Sequence, residues 1–231
     1  MEYDQENIQD LRKCTVAIQS SSSKNKVLGT GVIVTSDGLI LTCYHVVGSI
    51  QSKSLDETID VRFPLIHDIK AHAHPISEYC NSELDIAFLK LEGKLPEQTT
   101  TPAILSETIV RDDNYQSFGF RDPNKVKEGL YSRGTIQGKT YDNPSQEIIQ
   151  LTIDHNRSEV PHGMSGAPVL DINTKKIIGI ISASLHSETH DLDIKLSVLM
   201  ILLDIQIKYV ICAIIYFSFN PNSCSSNRSG L

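Results

Sequence analysis

Short runs rich in β-branched and aromatic residues, separated by turn residues at fairly even spacing, fill this chain from residue 15 to residue 200. That rhythm points to an all-β sandwich or barrel. The first set comprises TVAIQ (15–19), the two halves of LGTGVIVTSDGLILTCYHVV (28–47), TIDVRF (58–63), DIKAHA (68–73) and DIAFLKL (85–91). Asp37-Gly38 splits the long apolar run, and Asp-Gly between two such runs is a strong hairpin signal. Six strands are enough for one small closed barrel. The polar segment EGKLPEQTTTP, residues 92–102 with two prolines, reads as a linker. A second six follows: YQSFGF (115–120), GLYSRGTIQG (129–138), EIIQLTI (147–153), APVL (167–170), KKIIGIISAS (175–184) and DIKLSVLM (193–200). The expectation is an all-β chain of two six-stranded antiparallel barrels, residues 14–91 and 103–200, behind a polar lead of residues 1–13.

A length of 231 residues suits one large all-β domain or two small ones, and 40% hydrophobic residues suffice for a core. The net charge is −7 with no basic cluster, so nucleic acid is not expected as a partner. The N-terminal MEYDQENIQDLRKC has neither a basic stretch nor an apolar one, so no secretory signal is visible. The five cysteines (Cys14, Cys43, Cys80, Cys212, Cys224) are odd in number and form no CxxC pair. Reduced thiols and a cytoplasmic location are the expectation.

The stretch LSVLMILLDIQIKYVICAIIYFSF (196–219) is apolar, but Asp204, Gln206 and Lys208 interrupt it. Its unbroken runs, 196–203 and 209–219, fall short of the roughly 20 residues of a membrane span. A last strand followed by a helix over 201–219 packed on the barrels is expected, with a tail anchor in the membrane as the alternative. Residues 220–231 read as a disordered tail.

Three short segments carry residues suited to nucleophilic catalysis. In PHGMSGAPVLD (161–171), Ser165 stands between Gly163 and Gly166. Glycine permits unusual φ/ψ values, so the backbone can turn sharply and present bare N–H groups to a developing oxyanion. The same pattern also makes an ordinary tight loop. ILTCYHVV puts His45 at the end of an apolar strand, and NSELDIAFLKL puts Asp85 at the start of another. Each residue alone also fits a plain structural role. Taken together they supply a hydroxyl, a base to accept its proton and a carboxylate to hold the imidazole in the right tautomer. Two fall in the first β half and the third in the second, so a cleft between barrels would unite them.

These motifs resemble the chymotrypsin/trypsin-like serine peptidases, closest to the bacterial trypsin-like and HtrA-type branch. GTGVIVTSDGLILTCYHVV is similar to the segment around that family's catalytic histidine. LDIAFLKL is similar to the segment around its aspartate, and GMSGAPVLD with KIIGIIS to its nucleophile segment and cleft strand. The resemblance spans residues 14 to about 200. It implies a chymotrypsin-like double barrel with His45 as general base, Asp85 as its orienter and Ser165 as nucleophile. The N–H groups of Gly163 and Ser165 would form the oxyanion hole. Ser182, with Ala183 and Ser184 after it, falls where the cleft strand pairs with an extended substrate backbone. Glu159, six residues before Ser165, lies near the position that sets trypsin's preference for basic side chains. It is read either as a pocket carboxylate or as a solvated loop residue.

The chain departs from the family pattern in places. Met164 stands where many secreted members carry an aspartate that pairs with a new N-terminus, so activation by zymogen cleavage is not expected. Ala167 replaces the commoner second glycine. No PDZ domain of the kind a full HtrA protein carries is expected after the protease region. His67, His72 and His74 invite a metal reading, but nothing completes a four-ligand set, so no metal is expected and the segment reads as an exposed strand. Cys43, two residues before His45, is expected to be a buried, inert thiol. The resulting expectation is a serine endopeptidase without cofactor, acting on a protein or peptide substrate. By its resemblance to bacterial effector modules it would have an intracellular effector or regulatory role and a sensor or NTPase protein as possible partner. The alternatives are a catalytically silent peptide-binding module of the same fold and a tail-anchored membrane protease.

Overall fold

A computed structural model of the chain describes residues 11–21, 26–49, 51–65, 70–96, 100–106, 108–120, 129–143, 146–153, 164–182 and 196–199. Six strands form the first closed barrel: β1 (Thr15–Ser20), β2 (Val27–Ile33), β3 (Leu39–Thr42), β6 (Ile59–Arg62), β7 (Lys70–Pro75) and β8 (Ala87–Leu91), in the cyclic order β1-β2-β3-β8-β7-β6. A small ribbon of β4 (Gly48–Ser49) and β5 (Ser54–Leu55) lies between β3 and β6 in sequence. The second closed barrel comprises β9 (Asn114–Gly119), β10 (Leu130–Asn143), β11 (Gln146–Ile153), β12 (Pro168–Asp171), β13 (Lys176–Ile181) and β14 (Leu196–Leu199), ordered β10-β11-β14-β13-β12-β9. Every strand pairing in both barrels is antiparallel. Closure removes the open edges that would otherwise invite aggregation.

The predicted fold class is therefore observed, and all twelve predicted strands have counterparts. The expected C-terminal helix, 201–219, lies outside the described residues. Among the described residues no helix is long and apolar enough to cross a membrane. The Asp37-Gly38 signal has its physical cause in view. Gly38 adopts φ +85, its N–H bonds the Thr35 carbonyl at 3.2 Å, and β2 then meets β3 with Ile33 opposite Ile40. Lys90 Nζ reaches across from β8 to donate to the Asp37 carbonyl at 2.8 Å, which ties the turn to the barrel wall.

Each barrel buries the residues its apolar runs supply. Val16, Ile18, Val32, Ile40 and Leu89 are fully buried in the first. Tyr115, Ile136, Ile149, Met164, Val169 and Ile181 belong to one core cluster in the second. Full burial of each aliphatic side chain contributes about 1.5–3 kcal/mol. The segment after β8 is pinned to both barrels. The Ala103 N–H bonds the Ile33 carbonyl and the Ser106 N–H bonds the Ile177 carbonyl, at 2.8 and 2.9 Å. Aromatic contacts also cross between the barrels: the Arg62 guanidinium of β6 sits 5.5 Å from the centre of the Phe120 ring, beyond β9.

Candidate active site

Strand β3 stops at Thr42, and the chain turns through Cys43 into one helical turn, α1 (Tyr44–Val47). His45 thus lies in a helical turn and not at a strand end as its apolar flanks predict. The reason is tertiary. The Tyr44 N–H bonds the Asp85 carbonyl at 3.1 Å and the His45 N–H bonds Asp85 Oδ1 at 3.0 Å, so a residue forty positions away caps this turn.

Asp85 is held by a loop built on Asn81. Asn81 pairs with Ile86 through two backbone hydrogen bonds, and its side-chain oxygen accepts the N–H groups of Glu83 and Leu84. The tight loop leaves Asp85 at φ +52, the left-handed region that costs most residues energy but that Asn and Asp tolerate best. Its carboxylate receives His45 Nδ1 at 2.9 Å (Oδ1) and 2.8 Å (Oδ2), and the Ser182 hydroxyl donates to Oδ2 at 2.7 Å. Burial works to raise the Asp85 pKa. The bonds and charge of His45, with the Ser182 hydroxyl, outweigh burial and hold the carboxyl below its usual value. Asp85 is thus a carboxylate at neutral pH. Ser182, expected to sit beside the substrate backbone, turns its side chain onto Asp85.

Ser165 sits on a β-turn closed by the bond from the Ala167 N–H to the Met164 carbonyl at 2.8 Å. Gly166 takes φ +85 at the third position, as a type II turn requires. Met164 anchors the turn by burying itself completely in the core of the second barrel. The methyl of Ala167 has room because Gly119 carries none: a Cβ at 119 would lie 2.9 Å from it. The turn is stitched to the first barrel as well. The Thr30 N–H of β2 bonds the Ser165 carbonyl at 2.8 Å, and the Gly166 N–H bonds the Ile181 carbonyl at 2.7 Å.

Gly29 shows where the two halves converge. A Cβ there would meet Val46 Cγ2 at 2.6 Å and the Ser165 carbonyl at 2.9 Å. The α1 turn bearing His45 and the turn bearing Ser165 therefore rest against the same bare Cα. Ser165 is 7% exposed, and the side chains of His45 and Asp85 are 33% and 16% exposed, so the imidazole meets solvent while the carboxylate sits behind it. Thr30, Thr42 and Gly29 were not singled out from the sequence. Thr42 Oγ1 donates to the Thr30 carbonyl at 2.7 Å, which locks the end of β3 to β2 beneath the site. The Gly29-Thr30-Gly31 pattern inside a strand was the available signal, since glycine in a strand marks close approach of another backbone. Glu159, Gly163, Ala183 and Ser184 lie outside the described residues.

Cys43 is buried, and its thiol donates to the Ile181 carbonyl at 3.3 Å. Burial first, and then the Asp85 charge, push its pKa well above the usual value, so the thiol stays protonated. His72 and His74 occupy an exposed face of β7. His72 Nδ1 lies 3.0 Å from Asp60 Oδ1, while His74 bonds the Glu57 carbonyl at 2.7 Å and the Glu92 carboxylate. His67 lies outside the described residues.

The Glu57 carbonyl and the Glu92 side chain raise the His74 pKa above the ordinary value. The folded form then holds this proton more tightly than the unfolded form. The stabilising contribution is complete below about pH 6.5 and disappears as the pH climbs through the folded value. Thermal melts at about pH 6 and about pH 8 should therefore show a smaller advantage at the lower pH for His74→Gln than for the unmodified chain.

Residues 29–180 match the family model of the trypsin-like peptidase domain. No curated protein matches the sequence. Among solved structures, the chain is similar to the HtrA-type protease AlgW, solved with a decapeptide. The identity is 16% and the TM-score 0.65, over 91% of this chain and 66% of that one. The chain thus spans just under two thirds of that protease's length. It is also similar to Rv3671c from M. tuberculosis H37Rv, solved as an inactive serine-to-alanine mutant. Here the identity is 15% and the TM-score 0.59, over 97% of this chain and 93% of that one. At these identities the two structures bear on the fold, and the family match carries the assignment. The chain belongs to the trypsin-like peptidase domain family.

Proposed function

We propose that this chain is a serine endopeptidase. The observation that carries the reading is the His45–Asp85 couple. A carboxylate bonded at 2.8 Å to Nδ1 keeps the imidazole proton on that nitrogen and leaves Nε2 free to accept another. In this reading Ser165 Oγ attacks the scissile carbonyl carbon as its proton passes to His45 Nε2. The N–H groups of Ser165 and Gly163 receive the oxyanion, a term worth about 10²–10³ in rate per donor. His45, now imidazolium and stabilised by Asp85, gives the proton to the leaving amine. Water then repeats the sequence on the acyl-enzyme and frees Ser165. An extended peptide adding to the chain beyond β13, from Ser182 to Ser184, would align the bond to be cut. The HtrA-type structure was solved with a decapeptide, in keeping with a peptide as the substrate class.

Labelling with a fluorophosphonate probe tests the reading. The expected result is one covalent adduct, located by mass spectrometry on Ser165. Absence of any adduct would favour the catalytically silent peptide-binding module, and an adduct on another residue would relocate the nucleophile.

A further inference from the structure

Beside the His45–Asp85 couple lies a third group that the peptidase reading does not use. Cys43 Sγ, the His45 nitrogen and an Asp85 oxygen all lie within 4.8 Å of one another. We propose that these three groups bind one thiophilic divalent cation of the zinc type, and that its binding switches the catalytic base off. The switching half rests on the peptidase reading; the binding half stands on the donor set alone.

All three donors must move to close on one ion, the sulfur included, since separations of up to 4.8 Å exceed the roughly 3.5 Å between sulfur and nitrogen around a tetrahedral zinc. Zinc takes sulfur at about 2.3 Å and nitrogen or carboxylate oxygen at about 2.0–2.2 Å, so two light donors around a tetrahedral ion stand about 3.4 Å apart. His45 Nδ1 and Asp85 Oδ2 are 2.8 Å apart, and opening them by about half an ångström admits the ion. Ser182 Oγ, 2.7 Å from Asp85 Oδ2, is the oxygen available for the fourth position. The charges also match: one thiolate and one carboxylate offset a divalent ion, so no net charge is left in a largely buried place. Sulfur and imidazole favour zinc, cadmium and cobalt, whereas magnesium and calcium require more oxygen donors than the cluster holds.

Binding moves protons and no electrons. The Cys43 S–H bond breaks, its proton goes to solvent and an S–metal bond forms. The His45 proton leaves Nδ1, whose lone pair takes the metal, and a proton settles on Nε2. One proton is released overall. Nε2 now carries the hydrogen and cannot accept one from Ser165.

Cobalt(II) titration of the full chain, followed by absorption, tests the site without requiring catalysis. One equivalent should bind with a sulfur-to-cobalt charge-transfer band, zinc should displace it, and magnesium should not. The band should vanish in Cys43→Ala and in Cys43→Ser. The serine variant keeps a donor for the Ile181 carbonyl and removes only the sulfur. A band that persists in folded Cys43→Ser, or no band in the unmodified chain, would overturn the proposal. Zinc should also slow fluorophosphonate labelling of the unmodified chain at concentrations at least about 100-fold below those needed for Cys43→Ser. Equal labelling rates with and without bound zinc would overturn the switch. A cobalt band in a chain that the probe never labels supports the site and counts against the peptidase reading alone.

Discussion

Asp85→Asn is expected to lower kcat by about 10⁴-fold with the fold intact. The asparagine side chain is nearly isosteric, and it suits the φ of +52 at this position, where alanine would be strained. Its amide oxygen can keep the bond from the His45 N–H now made to Oδ1. Its amide nitrogen would replace Oδ2, which now receives His45 Nδ1 and the Ser182 hydroxyl. An NH₂ group there donates, so it stabilises the imidazole tautomer with nitrogen Nδ1 bare and the proton on Nε2. That tautomer cannot take a proton from Ser165. The predicted loss corresponds to about 5.4 kcal/mol of transition-state stabilisation. Peptide hydrolysis rates measured beside thermal melts check it. A variant that keeps its full rate would remove Asp85 from the mechanism.

Gly166→Ala should cost about 4 kcal/mol or more in stability, a Tm fall of roughly 10 °C. Two effects add at this position. A φ of +85 disfavours any residue with a Cβ, and the new methyl would stand 1.9 Å from the Thr30 carbonyl oxygen and 2.6 Å from Thr42 Oγ1. The first obstacle is backbone of β2 that is itself bonded through its N–H to the Ser165 carbonyl, so it cannot withdraw without breaking the contact between barrels. Gly93→Ala separates the two effects. Gly93 has φ +80, but nothing lies within 4 Å of a Cβ placed there, so only the left-handed backbone cost of about 1–2 kcal/mol applies. Similar Tm values for the two variants would show that the Ser165 turn is not packed against β2 as described.

Local pattern carried much of the architecture. Short apolar, β-branched runs between turn residues marked all twelve barrel strands. Strands such as β3 and β12 are buried along their whole length, so the run itself, bounded by turns, carries the signal. Asp37-Gly38 marked its turn because a positive φ is a property of the residue itself. His45, Asp85 and Ser165 stood out as candidates for a related reason: each carries a group whose chemistry suits the role proposed for it. Their surroundings did not. The helical turn at Tyr44–Val47, the left-handed backbone of Asp85 and the capping of one by the other depend on groups forty residues apart. Cys43 beside the couple could be located only once the ends of β3 and β13, from different barrels, were in contact.

By itself the sequence determined the two sets of strands and the three chemically able side chains, since apolar runs bounded by turn residues and side-chain chemistry are properties of single segments. Tertiary structure alone decided that Gly29 leaves room for both Val46 and the Ser165 carbonyl, that Ser182 turns its hydroxyl onto Asp85, and that Met164 anchors the Ser165 turn in the second core. These are contacts between segments remote in sequence, and barrel closure is what brings such segments within bonding distance.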